Sequence, residues 1–502
     1  MADQGEEHLT AYQVRHRKLQ RLREAGIDPF PSSYIKTHTN REAISLWSSQ
    51  KEFQGGDAQQ DRVSVGGRIV AIRTMGKATF IDLQDGSGRL QTLLRQNVLK
   101  ETYQLIGELD IGDFLGVTGE LFETRTGEVT VNAQTLSILS KALHPPPEKW
   151  HGLKDTEQRY RHREVDLLSN DEVRQRFKLR SDLVHGIREF LRNRGFIEVE
   201  TPILLPVAAG AMATPFVTHH NALDRTLYLR IATELHLKRC IIGGLDRVFE
   251  IGRLFRNEGL DFRHNPEFTS LESYQAYCNY LEVMEMTEEM VAHLALELLG
   301  TTDIPWKGQV INVKPPWERK SVKSAIYEYS SIDLEQSPDA VSLAQRMRDI
   351  GLEVTQEVSW GRLVDKLLGD TVEPNQTQPI FLIDYPLEMS PLAKEKIGHP
   401  GYVERFEAFI GGMEIANAFS ELNDPVEQRF RFEQQEALRD IHENEDFDRL
   451  DQEFLTALEF GMPPTGGLGM GIDRLAMLFS NQTSIREVIL FPHLSWSQDE
   501  IT

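Results

Sequence analysis

Apolar residues recur at helical spacing near the start of the chain, where Leu9, Tyr12, Leu19 and Leu22 predict a helix over 8–25. Gly26 ends it, and Pro29 and Pro31 prevent its continuation. Beyond about residue 61 the pattern shortens to period two. Val63-Ser64-Val65 and the runs 78–83, 90–94 and 128–131 read as strands, separated by turns at Asp85-Gly86-Ser87-Gly88 and Arg125-Thr126-Gly127. Short strands repeated over so small a stretch predict an all-β barrel at 61–145, preceded by a helical extension at 1–60. Pro145-Pro146-Pro147 closes that region, because three prolines continue neither a strand nor a helix. From 146 to 502 the pattern is mixed and predicts one large α+β domain. Within it, Ser181 caps a helix with an apolar face of Leu183, Val184, Ile187, Phe190 and Leu191 that stops at Gly195. A strand Ile197–Glu200 follows and ends at Thr201-Pro202. Residues 318–372 read as a helical insertion rather than core, and Glu443–Glu453, with six acids against one arginine, as a solvated loop. No internal repeat is visible.

Length and charge sharpen this outline. A chain of 502 residues exceeds what one hydrophobic core usually organises. Hydrophobic content of 40% with 26% charged residues is that of a soluble globular protein. No apolar run reaches the ~18 residues of a membrane helix, and the polar N-terminus does not resemble a signal peptide. Cys240 and Cys278 lack metal-ligand spacing and read as buried free thiols of a reducing cytoplasm. A formal charge of −22 argues against a protein that coats nucleic acid, but local contact needs only a patch. Arg15, Arg17, Lys18, Arg21 and Arg23 form one, either a solvated helix face or a phosphate-tracking one. A small barrel of the OB type, which binds oligonucleotides, is compatible with such a partner.

The chemistry concentrates in three stretches. Arg253-Leu254-Phe255-Arg256-Asn257-Glu258-Gly259 and His264-Asn265-Pro266-Glu267-Phe268-Thr269 read as strand, polar loop and strand. An arginine that can fork onto phosphate and an aromatic that can stack on a base make this a nucleotide clamp. Alternation places Phe268, Ser270, Glu272, Tyr274 and Ala276 on one face, and aligns Asn417, Phe419 and Glu421 on a later strand. A structural ion pair accounts for any one of these acids. Several converging on one pocket imply cations, whether a metal, an amine or an arginine. Glu407 and Glu414 are the candidate Mg²⁺ ligands, since Mg²⁺ takes one or two carboxylates beside phosphate oxygens. The run Gly467-Leu468-Gly469-Met470-Gly471-Ile472-Asp473-Arg474 has no βαβ unit after it, which excludes a dinucleotide fold. His219-His220 lacks the companions a zinc site needs.

Phe255-Arg256-Asn257-Glu258 with His264 and Phe268 resembles motif 2 of the class II aminoacyl-tRNA synthetases, and Gly469–Arg474 resembles motif 3. The helix 181–194 with Pro202 resembles motif 1, usually part of a dimer interface. Nearly the whole chain, above all Phe419-Ser420-Glu421-Leu422-Asn423-Asp424, is similar to bacterial-type class II lysyl-tRNA synthetases. The resemblance implies an antiparallel synthetase sheet with flanking helices behind an OB-fold anticodon-binding barrel, in a cytoplasmic homodimer that joins L-lysine to lysine tRNA using ATP and Mg²⁺. It implies that Arg256 holds the α-phosphate and substrate carboxylate, and that Glu258 meets the adenine amino group. Phe268 and Arg474 would sandwich adenine, with His264 on the triphosphate. Gly210, Glu234 and Glu272 would surround the α-amine, Tyr274 and Glu421 would take the ε-ammonium, and Asn417, beside Phe419, the carboxylate. Glu407 and Glu414 would bind Mg²⁺, and Phe80, Gln91 and Glu128, with Arg68 and Arg73, would read the anticodon. Ala416 and Ala418 depart from the family's usual glycines, as do Ala209, Thr214 and Glu164 from its common residues. The two extra methyls beside Asn417 either narrow the pocket or alter strand packing. Other functions compatible with the pattern are a paralogue that transfers lysine to a protein, a non-catalytic tRNA-binding paralogue, and an aspartate or asparagine enzyme of the same subclass. The barrel argues against the first, the intact motif residues against the second, and the acidic pocket against the third.

Overall fold

The computed structural model describes residues 9–53, 62–146, 155–207, 209–211, 213–354, 359–441 and 450–495. Two compact units result, one of residues 1–155 with 164–169, the other of 156–163 with 170–502.

The first unit is built on β1 (Arg62–Met75), β2 (Ala78–Gln84), β3 (Arg89–Arg95), β4 (Phe114–Glu123) and β5 (Val129–Ser140), closed into a barrel in the order β1-β2-β3-β5-β4. Strand β4 went unrecognised in the sequence, although Leu115, Val117 and Leu121 alternate inward. They join Val65, Ile69, Ile81, Leu83, Leu94 and Val131 in one core. The Ala11–Glu24 helix precedes the barrel, capped by Thr10 and ended before Gly26 at positive φ. Its basic patch is largely spent within the unit. Arg15 is buried and donates to the carbonyls of Ala142 and Ile111, Lys18 pairs with Asp110, and Arg21 with Glu108. A solvated or phosphate-tracking face is therefore left to Arg17 and Arg23, which are exposed.

In the second unit, β6 (Ile197–Glu198), β10 (Arg247–Phe255), β11 (Glu267–Ala276), β14 (Glu318–Ser321), β15 (Ile380–Pro386), β16 (Tyr402–Ile410), β17 (Met413–Ser420) and β18 (Thr465–Gly471) form one sheet. Their order is β14-β15-β16-β17-β18-β11-β10-β6, antiparallel except at its two ends. The strands β7 (Leu204–Leu205), β8 (Val217–His220) and β9 (Arg225–Leu229) make a small sheet, and β12 (Asp303–Trp306) pairs with β13 (Gln309–Asn312). One face of the large sheet is sealed by the Asp171–Asn193, Tyr280–Leu299 and Ile472–Phe479 helices, whose apolar sides form its core. The other face carries the Glu234–Ile242 helix against β10 and β11 and is otherwise open to a cavity.

Two expectations need correction. Ser181 does not cap a helix: the helix begins at Asp171 after Asn170, and Ser181 lies inside it. A polar stretch upstream had hidden its first turns. The segment 318–372 is largely helical but is not peripheral. It opens with β14 at the sheet edge, and Ile326, Leu343, Met347, Leu363 and Leu367 share a buried cluster with β15 and β16. Of the acidic stretch, residues 442–449 lie outside the described residues, while Asp451 caps the Gln452–Leu458 helix. Cys278 is buried and Cys240 partly so, both free thiols. No helix among the described residues is long and apolar enough to cross a membrane.

Candidate active site

A cavity of about 460 Å³ opens over β11, β17 and β18. From β11 it receives Phe268, Ser270, Glu272 and Tyr274, the row that alternation predicts. Strand β17 supplies Asn417 and Phe419, and also Glu414, whose numbering parity would put it on the opposite face. A bulge explains this. Ala408 pairs with Ala416 and Phe409 with Glu414, so Ile415 is the extra residue and resets the alternation. Between the two rows runs β18. Gly469 faces both Glu272 and Asn417, and Gly467 faces both Tyr274 and Phe419. The glycine run is thus a strip of bare backbone under the pocket. A Cβ on Gly467 would collide with Glu421 Oε1 and the Tyr274 ring.

One end of the cavity is basic. Arg256 follows β10 and is tied by its backbone N–H to Pro266 O at 2.8 Å. Its guanidinium lies 5.2 Å from the Phe268 ring centre, and its buried Nε has no hydrogen-bond partner among the described residues. Burial lowers its pKa, opposed by Glu258, Glu414 and Glu272. His264 Nδ1 contacts Asp261 Oδ2 at 2.8 Å, and its Nε2 lies 3.3 Å from Arg474 Nη2. Arg474 donates to Glu414 O at 2.8 Å and to its carboxylate at 3.0 Å. Asp473 accepts from Thr269 N at 2.7 Å and pairs with Arg180 at 2.6 Å, locking the arginine's helix to β11. Glu258 stands exposed at the mouth.

The other end is acidic and closed. Glu234, Glu272 and Glu421 are buried there with Tyr274, beside Gly210, whose φ of 93° favours glycine. Glu272 accepts from Thr233 N at 3.0 Å and from the Tyr274 hydroxyl at 3.2 Å. Burial, reinforced by Glu234, pushes its pKa up to about 7. Burial likewise raises that of Glu421 well above the carboxylate range, with Lys238 pulling against it. Lys238 is fully buried and pairs with both Glu421 and Glu234.

Glu407 does not line the cavity. It sits on β16 opposite Asn417, held by Arg405 at 2.6 Å and by the Tyr385 hydroxyl at 2.7 Å. Its pKa is pushed up to about 7 by burial, and Glu414 and Asp365 add to the rise. Glu373 is raised to about 7 by burial with help from Glu414 and Asp365. Glu407 and Glu414 remain the pair that could hold a cation. Sequence reasoning missed Lys238, Arg405, Tyr385, Asp365 and Glu373. Only Lys238 carried a local signal, its i,i+4 spacing from Glu234 on a helix. Arg405 also donates to Asn417 Oδ1 at 3.1 Å. The methyls of Ala416 and Ala418 point into the core on the far side of β17, so they alter packing rather than narrow the pocket. Ala209 packs in a buried cluster, and Thr214 O accepts from Asn257 N.

On the barrel, register places Arg73 opposite Phe80 and Gln91 opposite Asp82 on the outer face. Gln91 donates to Glu128 at 2.9 Å and accepts from Thr130 at 2.9 Å. Arg73 forks onto the buried Asp82 at 3.0 Å, which also holds Arg89. Arg68 departs from this group. It donates to Gly112 O at 2.9 Å and stacks 4.3 Å over Phe114, so its guanidinium is used to fasten β4.

Residues 155–495 match the family of class II tRNA synthetases (D, K and N), and residues 63–139 match the OB-fold nucleic acid binding domain. The chain is 50% identical to a lysine–tRNA ligase of Dehalococcoides mccartyi over 99% of each protein. It is 50% identical to one from Moorella thermoacetica over 95% of this chain and 96% of that one, and 46% identical to one from Thermoanaerobacter pseudethanolicus over 97% and 96%. The chain belongs to the class II aminoacyl-tRNA synthetases and, within them, to the lysine–tRNA ligase family.

Proposed function

We infer that the cavity activates L-lysine with ATP and that the lysyl group then passes to the 3′ end of lysine tRNA. The observation that carries this is the polarity of one pocket: an arginine with a buried, unpartnered Nε at one end and three buried carboxylates at the other. A buried charge without a partner costs several kcal/mol, so each end calls for a ligand of opposite sign. Triphosphate suits Arg256, His264 and Arg474, with Phe268 stacking on adenine and Glu258 accepting from its amino group. Lysine suits the acidic end, its α-amine at Gly210, Glu234 and Glu272 and its ε-ammonium at Tyr274 and Glu421. Asn417, oriented by Arg405, meets the carboxylate, and Phe419 packs along the chain.

The lysine carboxylate attacks the α-phosphorus, a P–O bond forms, and the bond to pyrophosphate breaks. Arg256 stabilises the charge that grows on the α-phosphate, and no enzyme residue becomes covalently linked. A 3′-terminal ribose hydroxyl then attacks the lysyl carbonyl and AMP leaves. Mg²⁺ would be held by Glu414, which lines the cavity, with Glu407 on the neighbouring strand as the second carboxylate once it gives up its contact with Arg405. Among the described residues no three such side chains cage a metal, so water and phosphate would supply its other ligands. When bound it neutralises phosphate charge.

The anticodon is assigned to the outer face of the barrel, with Phe80 as the stacking platform and Arg73, Gln91 and Glu128 beside it. A homodimer is assigned to the edge strand β6 and the adjacent small sheet, where Ile197, Ile203, Leu204, Val217 and Leu223 are exposed. The free thiols fit a cytoplasmic site. An aspartate or asparagine specificity would need a cation or amide donors where this pocket has acids. ATP–pyrophosphate exchange measured with each of the twenty amino acids tests the assignment: lysine alone should support strong exchange, and preference for another amino acid would refute it.

A further inference from the structure

We propose that Lys238 is a resident third ammonium of the amino-acid pocket, which bridges Glu234 and Glu421 and so leaves the pocket with the two negative charges that a diammonium substrate neutralises. This rests on the assignment of Glu234, Glu272 and Glu421 to lysine. Lys238 Nζ donates to Glu234 Oε1 at 2.5 Å and is ion-paired with Glu421 Oε2. It is fully buried and does not reach the cavity surface, so it acts through the two acids rather than on the substrate. Its ammonium stands 5.5 Å from the centre of the Phe419 ring and 5.9 Å from that of Phe454.

The charge count follows directly. The groups that face Glu421 are Glu234 and Lys238 from the Glu234–Ile242 helix and Glu272 and Tyr274 from β11. The Gln452–Leu458 helix contributes the ring of Phe454, and β18 contributes glycine backbone. With all three carboxylates ionised, one internal ammonium leaves two charges, one for the α-amine and one for the ε-ammonium; burial raises Glu272 and Glu421, so these acids give up their protons as lysine binds. A third carboxylate without Lys238 would have no partner even with lysine bound. A buried acid in that position takes up a proton instead. Burial works against the Lys238 ammonium, but Glu234 and Glu421 outweigh it and hold its pKa above the ordinary lysine value, so it stays charged. Lys238 is therefore a positioning residue that also fixes which ligands the pocket accepts. An amino acid with a neutral side chain leaves Glu421 facing only the internal cation, and the pocket discriminates against it.

The test is ATP–pyrophosphate exchange by Lys238→Met and Lys238→Arg across about pH 6 to 8.5, with KM for lysine and for ATP measured separately. Lys238→Met should raise the lysine KM by ~10- to 100-fold at about pH 6.5 and recover much of that loss at higher pH, because the acid that gained a proton must lose it before lysine binds. Its ATP KM should stay within about twofold, and Lys238→Arg should keep the parent's pH profile. A Lys238→Met lysine KM within about twofold of the parent's, or a pH-independent rise in both KM values together, would overturn the proposal. Should Lys238→Met fail to fold, Lys238→Arg decides: the parent's profile supports the proposal, and a new pH-dependent loss of lysine affinity contradicts it. Loss of lysine affinity in Glu421→Gln without any effect at Lys238 refutes this inference alone. Indifference at both positions refutes the lysine pocket itself.

Discussion

The barrel face and the catalytic cavity are both polar, but they prepare for their ligands in opposite ways. On the barrel the groups are already paired with one another: Gln91 with Glu128 and Thr130, Arg73 with Asp82. On the proposed assignment a base arriving there would exchange one hydrogen-bond partner for another, and the net gain per contact would be modest. In the cavity Arg256 Nε lacks a hydrogen-bond partner among the described residues, and one buried ammonium is shared by two of the three buried carboxylates. The fold holds those charges out of water and leaves the ligand to compensate them. Pre-paired surfaces suit a reader that must tolerate and compare. Uncompensated, preorganised charge suits a site that must stabilise a transition state.

The largest effect should come from Arg256. Arg256→Ala should slow single-turnover adenylate formation at saturating ATP and lysine by roughly 10²–10³-fold, and Arg256→Lys should rescue little, since an ammonium lacks the planar fork. A rate within a few-fold of the parent would make the arginine structural. Gly467→Ala comes next. The new methyl displaces Glu421 and Tyr274, and overpacking of this kind should raise the lysine KM by ~30-fold while sparing that for ATP. An unchanged lysine KM would show that the bare strip under the pocket has no bearing on the acids.

On the barrel the same logic predicts a smaller and separable loss. Phe80→Ala should weaken charging of lysine tRNA by ~10-fold, in line with stacking worth about 1–3 kcal/mol per base, and leave pyrophosphate exchange intact. Equal losses in both assays would erase the contrast between the two regions. The smallest effect is titration. Glu272, raised to about 7, is mostly ionised at about pH 8 and mostly protonated at about pH 6, so the lysine KM of the parent should rise by ~3- to 10-fold as pH falls across that range. A flat profile would mean that Glu272 does not meet the α-amine.

The sequence made the barrel strands readable wherever β-branched and aromatic residues alternate, but not at β4, where Gly116 and Gly119 interrupt the pattern. The β11 row was visible as plain alternation because β11 has no bulge. Glu414 was singled out as a carboxylate suited to Mg²⁺, but its orientation depends on a bulge at Ile415 that alternation conceals. Lys238 and Arg405 each have one partner nearby in sequence, but their link to the pocket escaped notice because only the folded sheet brings Glu421 to one and Asn417 to the other. Ser181 misled because a good capping residue inside a long helix looks the same as one at its start. Family membership was legible because motif chemistry is local. The electrostatic balance of the pocket was not, because it is a sum over strands far apart in the chain.

Selection of a diammonium ligand by the acidic end of the cavity, as proposed, is tested most directly by Glu421→Gln. In ATP–pyrophosphate exchange the variant should need ~100-fold more lysine, since it leaves a desolvated ammonium without its ion partner, while its ATP requirement stays within about twofold. A raised ATP requirement with lysine use untouched would contradict it.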